Sequence, residues 1–457
     1  MKSALFTSFS LAASVAAQSV ITRDVAVIGG GAAGTFTAIR LQQMGFSVAC
    51  IEKSYRLGGH VDTYRNPTNH SQFVDYGVQI FTNETVVHDY FGHFNISLKT
   101  VNAASSFGST NYYNFIDGSA LNTSSIMSGD LVGAFTRYVQ ILNKYSYING
   151  EWNLPNPVPE DLLLPWGEFV IKHNLTAMAT VVYQFNAGQG NILAQPALYV
   201  IRQLSLPQIQ GIASGFLVNP LGNQELYDRA LTELGSSAFL NSTVTSVIRS
   251  DDGVEVCFDT DQGHITVKAK KLVIAIPPKA ANLQFLDLSD DESLLFGQFN
   301  NSYYWDALLS NTGLPKNTLY FNLNPDAPLN VPAQPVLLQT GATAVDGITG
   351  AYYASAQDMT DDAVRADILA TFRRLQAGLG IQVSSPLEIV ALNNHSPYTL
   401  TVTPQAIRDG FYNKLKKLQG QHNTFFTGAM WANDASGEIW DFTEKKILPR
   451  VQAALAA

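Results

Sequence analysis

Apolar and polar positions come in blocks whose spacing changes along the chain. Asp24-Val25-Ala26-Val27-Ile28 is almost wholly apolar, the pattern of a parallel strand buried on both faces. It runs directly into Gly29-Gly30-Gly31-Ala32-Ala33-Gly34, after which Ala33, Phe36, Ile39 and Met44 recur at helical spacing up to Gly45. That predicts a helix stopped by a C′ glycine. A second strand, Ser47 to Ile51, ends at Glu52. Leu131, Phe135, Tyr138, Leu142 and Tyr145 share one face of a later helix. Val364, Ile368, Phe372 and Leu375 share a face of another, capped at Asp361 and stopped at Gly378. Pro155-Asn156-Pro157-Val158-Pro159 fits only a loop. Thr243 to Ile248, the turn signal Asp252-Gly253, strands through Val256 and Ile265, and the run Lys271 to Ile276 before Pro277-Pro278 predict a hairpin feeding a sheet strand. Tyr320-Phe321-Asn322 and Val336-Leu337-Leu338 are strand-like, and a helix from about Thr443 to Ala454 closes the chain.

The first strand, glycine loop and helix carry a specific chemistry. In the G-x-G-x-x-G pattern, Gly29 permits the tight turn, Gly31 lets the backbone approach a diphosphate, and Gly34 lets helix and strand pack closely. The diphosphate then meets the free N–H groups and dipole of the helix N-terminus, around Ala32 and Ala33. Glu52 stands 18 residues after Gly34, placed to accept hydrogen bonds from ribose hydroxyls. A carboxylate there repels a 2′-phosphate, so FAD or NAD is favoured over NADP.

Composition narrows the alternatives. A chain of 457 residues is longer than one core usually organises, so two domains are expected. With 46% hydrophobic and 14% charged residues it is a packed globular protein. A net charge of −9 argues against a nucleic-acid partner. Two cysteines exclude a disulfide scaffold; Cys50 and Cys257 read as buried, inert thiols. Eight scattered histidines without H-E-x-x-H give no expectation of a protein-held metal. G-x-S-x-G and Walker patterns are absent.

Lys2, the apolar stretch Ala4 to Ala13 and Val15-Ala16-Ala17 form a signal-peptide pattern over residues 1–17, the bland alternative being an apolar first element packed on the core. The mature chain is then expected to be secreted or held in the secretory lumen. No other stretch reaches the roughly 18 apolar residues of a membrane span, so no membrane partner is expected. Sequons at Asn69, Asn83, Asn95, Asn122, Asn174, Asn241, Asn300 and Asn394 agree weakly with that route.

Arg56-Leu57-Gly58-Gly59-His60 and Asp75-Tyr76-Gly77-Val78-Gln79 follow the acidic residue. From Asp24 to Gln79 the chain resembles the flavin-containing amine oxidase superfamily, most closely its cyclopiazonate-dehydrogenase-type fungal FAD-dependent oxidoreductases. Val244, in the strand from Thr243, and Thr424-Phe425-Phe426-Thr427-Gly428-Ala429 extend the resemblance to the middle and end of the chain. It implies FAD as cofactor, with Lys53 beside Glu52, Arg56, Gly58, Gly59 and His60 along the ribityl-phosphate arm, Gly77 and Val78 beside the flavin ring, Val244 at adenine, and Gly428 facing the phosphates. It implies an α/β fold: a doubly wound, Rossmann-type FAD domain from residues 22–85, 221–285 and 416–457, with an inserted α+β substrate domain from 86–220 and 286–415.

Aromatic groups concentrate in the insertions: Tyr112-Tyr113, Tyr303-Tyr304-Trp305 and Tyr352-Tyr353, with Trp431 and Trp440 near the closing motif. In the family two aromatics flank the flavin, and Trp431 is the best candidate; for each of the others, core packing is the competing reading. Three departures set the chain apart. Leu283 to Pro315 lacks the family's lysine, Gly428 is followed by Ala429 instead of an acid, and His60 replaces the commoner arginine. His60 could contact a phosphate or the flavin, or carry it covalently. No side-chain base stands out, so no catalytic residue is assigned. The resemblance implies hydride removal from a carbon of a small, mostly apolar or amine-bearing substrate, in secondary metabolism. The alternatives are a flavin-dependent isomerase of a lipid or polyene, and an FAD-binding protein without catalysis.

Overall fold

The computed structural model describes residues 19–102, 109–126 and 129–457, so the expected signal segment lies outside the described residues. The first strand spans Ser19–Ile28. Only Val25 to Ile28 are buried in it. The polar half, which hydropathy could not reveal, is held by parallel pairing of Ser19 to Arg23 with Ile265 to Ala269. This strand lies inside a seven-stranded sheet in the order Thr243–Ser250, Gly253–Thr260, Gly263–Ile274, Ser19–Ile28, Val48–Ile51, Ala238–Phe239. Thr424–Phe426 adds in parallel beside Leu272 to Ile274. The centre is parallel and the hairpin edge antiparallel, the doubly wound α/β arrangement.

Helix Ala32–Gln43 packs on this sheet and against helices Gln224–Leu234 and Ser436–Phe442. Because it is covered on most sides, Thr35 and Thr37 are buried too; their hydroxyls donate back to Gly30 O and Ala33 O at 2.8 and 2.7 Å. Met44 is not part of the apolar face. It is the exposed cap residue, and Leu41 is buried in its stead. The closing helix begins at Ser436, earlier than its sequence pattern indicates. It passes through a π turn at Thr443–Ile447 into Leu448–Ala456, where Pro449 lacks the N–H that a regular α ladder needs.

The second sheet has seven strands in the order Glu388–Asn394, Tyr303–Ser310, Ile348–Ser355, Val336–Ala342, Thr318–Asn322, Ser109–Asn114, Ser119–Ala120. One of its faces is covered by helix Asp361–Gly378, where Val364, Ile368, Phe372 and Leu375 bury against Trp305 and Tyr353. The cap of that helix is Thr360, whose hydroxyl accepts from Ala363 N–H at 3.3 Å. Asp361 is spent elsewhere, accepting from the Trp305 indole at 2.9 Å. Helix Leu131–Lys144 buries Tyr138 and Leu142 as its spacing predicts. The architecture is a Rossmann-type α/β lobe carrying an inserted α+β lobe. Among the described residues no helix is long and apolar enough to cross a membrane.

Candidate functional site

Two glycine loops meet at the end of the first strand. Gly29 has φ +100°, and a Cβ on Gly34 would lie 1.7 Å from Gly29 O, so helix and strand touch there as backbone. Gly31 pairs with Gly58 across the loops, and Gly58 N–H donates to Gly30 O at 2.8 Å. Gly59, at φ +57°, has room only for hydrogen: its Cβ would sit 2.9 Å from Gly31 Cα. Glu52 is fixed before any ligand arrives, accepting from Gly30 N–H at 2.6 Å and Ser54 N–H at 2.7 Å. Each oxygen keeps a lone pair for a further donor.

The other sequence-selected residues group around this point. Glu52 O accepts from Ser242 N–H at 2.9 Å, which sets half-buried Val244 near the carboxylate end of the groove. Gly428, at φ +116°, faces Ala33, whose Cβ is 3.9 Å from the position a Gly428 Cβ would take. Ala32 O accepts from the Trp440 indole at 3.0 Å. A Gly77 Cβ would meet His60 O at 2.1 Å, and Val78 N–H donates to that oxygen at 3.1 Å. Lys53 is exposed. Arg56 is turned to protein partners, Asp62 at 2.5 Å and Gln224 at 3.0 Å. Trp431 is buried and stacks on Phe426 with ring centroids 5.3 Å apart. Its indole Nε1 is buried with no hydrogen-bond partner among the described residues. A glycine-walled cradle with a preset carboxylate at its end fits the diphosphate and ribose of a dinucleotide.

Strand alternation sorts the insertion's aromatics. Tyr303, Trp305 and Tyr353 face helix Asp361–Gly378, and Trp440 joins Phe36, Phe81 and Tyr90 in the core of the first lobe. Tyr304 and Tyr352 face the other way, with Tyr398, Tyr183 and Phe321, into a small chamber that is open to solvent. Gln184 and Gln339 supply its amides, and among the described residues no charged side chain lines it. The Tyr352 hydroxyl is met by Gln79, the residue after Val78.

A charged cluster that the sequence does not announce lies behind this wall. His395 contacts Asp62 at 3.1 Å and Asp306 at 3.3 Å, and all three are buried. Arg56 closes the group from the far side of Asp62. The three ligand-type atoms lie within 4.8 Å of one another; an imidazolium between two carboxylates accounts for that spacing. Burial, opposed by His395 and reinforced by Asp62, pushes Asp306 up to about 7. Burial alone would lower His395, but the Asp306 and Asp62 carboxylates outweigh it and hold the imidazolium above its usual range. His60 stacks flat on His395, centroids 4.3 Å apart and 4° from parallel. Solvent reaches His60 although it lies deep in the protein, as on the wall of a cleft; surrounding protein first, then His395 and Arg56, push its basicity well below the ordinary value. These residues come from positions 56–62, 306 and 395, and no spacing rule connects them. Cys257 also departs from expectation: it is half-buried and contacts the Thr266 hydroxyl at 3.4 Å, whereas burial pushes Cys50 up to about 12.

A family profile described as flavin containing amine oxidoreductase matches residues 32–303. An FAD-dependent oxidoreductase of Cochliobolus heterostrophus, oblC, is 39% identical over 453 residues, covering 96% of this chain and 93% of that protein. Beta-cyclopiazonate dehydrogenase of Aspergillus oryzae is 33% identical, covering 95% and 94%. Among solved structures, a CLA-producing fatty acid isomerase from P. acnes superposes with TM-score 0.76 at 20% identity, covering 93% of this chain and 99% of that one. Putrescine oxidase bound to putrescine gives 0.65 at 16% identity, covering 96% and 99%. At those identities the structural likenesses speak for the fold alone.

Proposed function

The chain belongs to the flavin-containing amine oxidoreductase family, and from that membership we propose that it takes hydride from a carbon of a small, uncharged, ring-bearing substrate held in the tyrosine-walled chamber. It is an FAD-dependent oxidoreductase. FAD supplies the two-electron acceptor when bound. The N–H groups following Gly31 would hold its diphosphate, Glu52 its ribose, and the Gly58-Gly59 loop and Gly428 the arm between.

The observation that carries the substrate side is one continuous stack. His60, next to the glycine doublet, lies 6.2 Å from Tyr398, which lies 4.9 Å from Tyr304, and both tyrosines line the chamber. The cofactor loop and the substrate wall are therefore a single packed unit. Among the described residues the chamber offers hydroxyls, amides and ring faces but no carboxylate to hold an ammonium ion, which favours neutral planar compounds over diamines. The relative named for beta-cyclopiazonate supports a small-molecule substrate.

The test is anaerobic mixing of the oxidised holoprotein with indoles, neutral polycyclic phenols, unsaturated fatty acids and aliphatic diamines. Bleaching of the flavin band by the ring compounds and not by the diamines is expected; the reverse order rejects the proposal. Loss of O₂ in step with product separates oxidation from isomerisation.

We further propose that the protein acts in the secretory route after loss of residues 1–17. Cleavage after Ala17 would leave every described residue, from Ser19 on, in the mature chain. All eight sequon asparagines are exposed, while Asn186, Asn219, Asn223 and Asn433, outside sequons, are buried. A mobility shift on endoglycosidase treatment of the secreted product is expected, and product retained unglycosylated in the cytosol rejects this assignment.

A further inference from the structure

His60 combines three properties that the binding role alone does not require. Its ring is reachable by solvent. Neither ring nitrogen has a hydrogen-bond partner among the described residues, and the ring lies flat on a buried imidazolium. Such a face-to-face pair cannot share a proton through a hydrogen bond, because the ring nitrogens do not point at each other. The coupling is electrostatic: a cation 4.3 Å below the ring disfavours a second cation above it.

We propose that His60 takes the substrate's proton as the bound flavin takes its hydride, and that His395, clamped by Asp62 and Asp306, is the positioning residue that holds the His60 ring flat and unprotonated beforehand. The proposal rests on reading the cleft as the FAD site. For a substrate H–C–X–H, the C–H bond leaves with its electron pair as hydride to the flavin, which is reduced. The X–H electron pair becomes the new C=X bond, and the remaining proton goes to a free ring nitrogen of His60. Atoms and charge balance, with FAD as oxidant.

The surroundings fit that order of events. The groups facing His60 and its partner are Arg56 and Asp62 from its own loop, Asp306 and Tyr304 from strand Tyr303–Ser310, and His395 and Tyr398 from the segment after Glu388–Asn394. Tyr76 and Tyr352 complete the shell, each pushed up by burial and then by a neighbouring carboxylate, Asp62 for Tyr76 and Asp306 for Tyr352, so both stay neutral donors. Burial and the two cations keep His60 a weak base. That suits a proton that becomes acidic only as the hydride departs. Negative charge arriving on the reduced cofactor then raises the proton affinity of His60, and reoxidation lowers it and releases the proton.

This predicts a redox-linked proton that needs no substrate to be seen. The holoprotein is photoreduced in the presence of reference dyes and its two-electron midpoint potential followed against pH. Each proton taken up per two electrons changes the equilibrium tenfold per pH unit, about 30 mV. Around neutral pH the wild type is expected to take up one proton more than His60→Gln, so its slope is steeper by that amount. In His395→Gln, which removes the charge beneath His60, the steep region is expected to begin at least one pH unit higher. Equal slopes in wild type and His60→Gln overturn the proposal. If His60→Gln fails to retain flavin, an unshifted onset in His395→Gln overturns it instead. A wild-type protein that stays colourless with excess FAD overturns the FAD-site reading itself, an outcome distinct from a coloured protein with no extra proton.

Discussion

Replacing Glu52 by alanine removes the carboxylate that ties the first glycine loop to the end of the second strand. Both oxygens are engaged in the protein alone, by Gly30 N–H at 2.6 Å and Ser54 N–H at 2.7 Å. A hydrogen bond to a charged group contributes roughly 1.5–3 kcal/mol, and a buried donor left unpaired costs about 1–3 kcal/mol. Gly30 is buried, so its N–H has no water to turn to; half-buried Ser54 is partly rescued by solvent. The apoprotein should lose about 2–4 kcal/mol. The holoprotein should lose more, because ribose hydroxyls donate to the second lone pairs. One such bond is again about 1.5–3 kcal/mol, a tenfold to hundredfold weaker FAD affinity. Glu52→Gln should fall between, since its amide keeps one acceptor but turns a donor towards a backbone N–H. The measurements are FAD titration of apoprotein by quenching of flavin fluorescence and urea unfolding of the same apoprotein. Lowered stability with undiminished FAD affinity would show Glu52 to be a loop brace only and refute the ribose role.

Gly34→Ala should abolish FAD uptake, because its Cβ would sit 1.7 Å from Gly29 O and the overlap involves backbone on both sides; a variant that titrates normally with FAD contradicts that geometry. Arg249→Leu should destabilise by about 3–5 kcal/mol in urea unfolding, since it strips a buried bidentate partner from Glu292 (Nη1 and Nη2 each at 2.7 Å); a loss under about 1 kcal/mol would mean the pair is neutral to stability. Stability should also rise as pH falls from neutral. Burial, the largest cause in each case, lifts Asp75 and Asp434 to about 6 and Asp306 and Glu438 to about 7. The folded chain therefore keeps protons that the unfolded chain releases above its ordinary carboxyl values near 4, and each group adds up to about 1.4 kcal/mol per pH unit as pH drops through that window. His395, raised in the fold, acts in the same direction, and His60, held well below its ordinary value, opposes the five. Thermal unfolding of the apoprotein should show its highest Tm on the acid side of neutrality, and a Tm that climbs steadily towards alkaline pH would reject the buried-carboxyl account.

Much of the nucleotide lobe is legible in the sequence because its determinants are local. Asp24 to Glu52 writes strand, glycine turn, helix and acid in one continuous stretch, and each step is a short-range steric or hydrogen-bonding requirement. The same holds for the hairpin at Asp252-Gly253. Hydropathy fails where burial is decided by distant partners. Ser19 to Arg23 form a strand because Ile265 to Ala269 lie alongside, and Thr35 and Thr37 are buried because two helices cover that side. The substrate half of the site is less legible for the same reason. Alternation along Tyr303 to Ser310 puts Tyr304 and Asp306 on one face and Trp305 on the other, but which face is left to line the chamber depends on helix Asp361–Gly378 claiming the second. His395 has no motif around it. It becomes chemically significant only when Asp62 and Asp306, hundreds of residues apart, close on it from two lobes. The proposed cofactor cradle thus has its core, Gly29 to Gly59, written in one stretch with Val244 and Gly428 added from afar, whereas the group that would handle a proton is assembled wholly across the lobe junction.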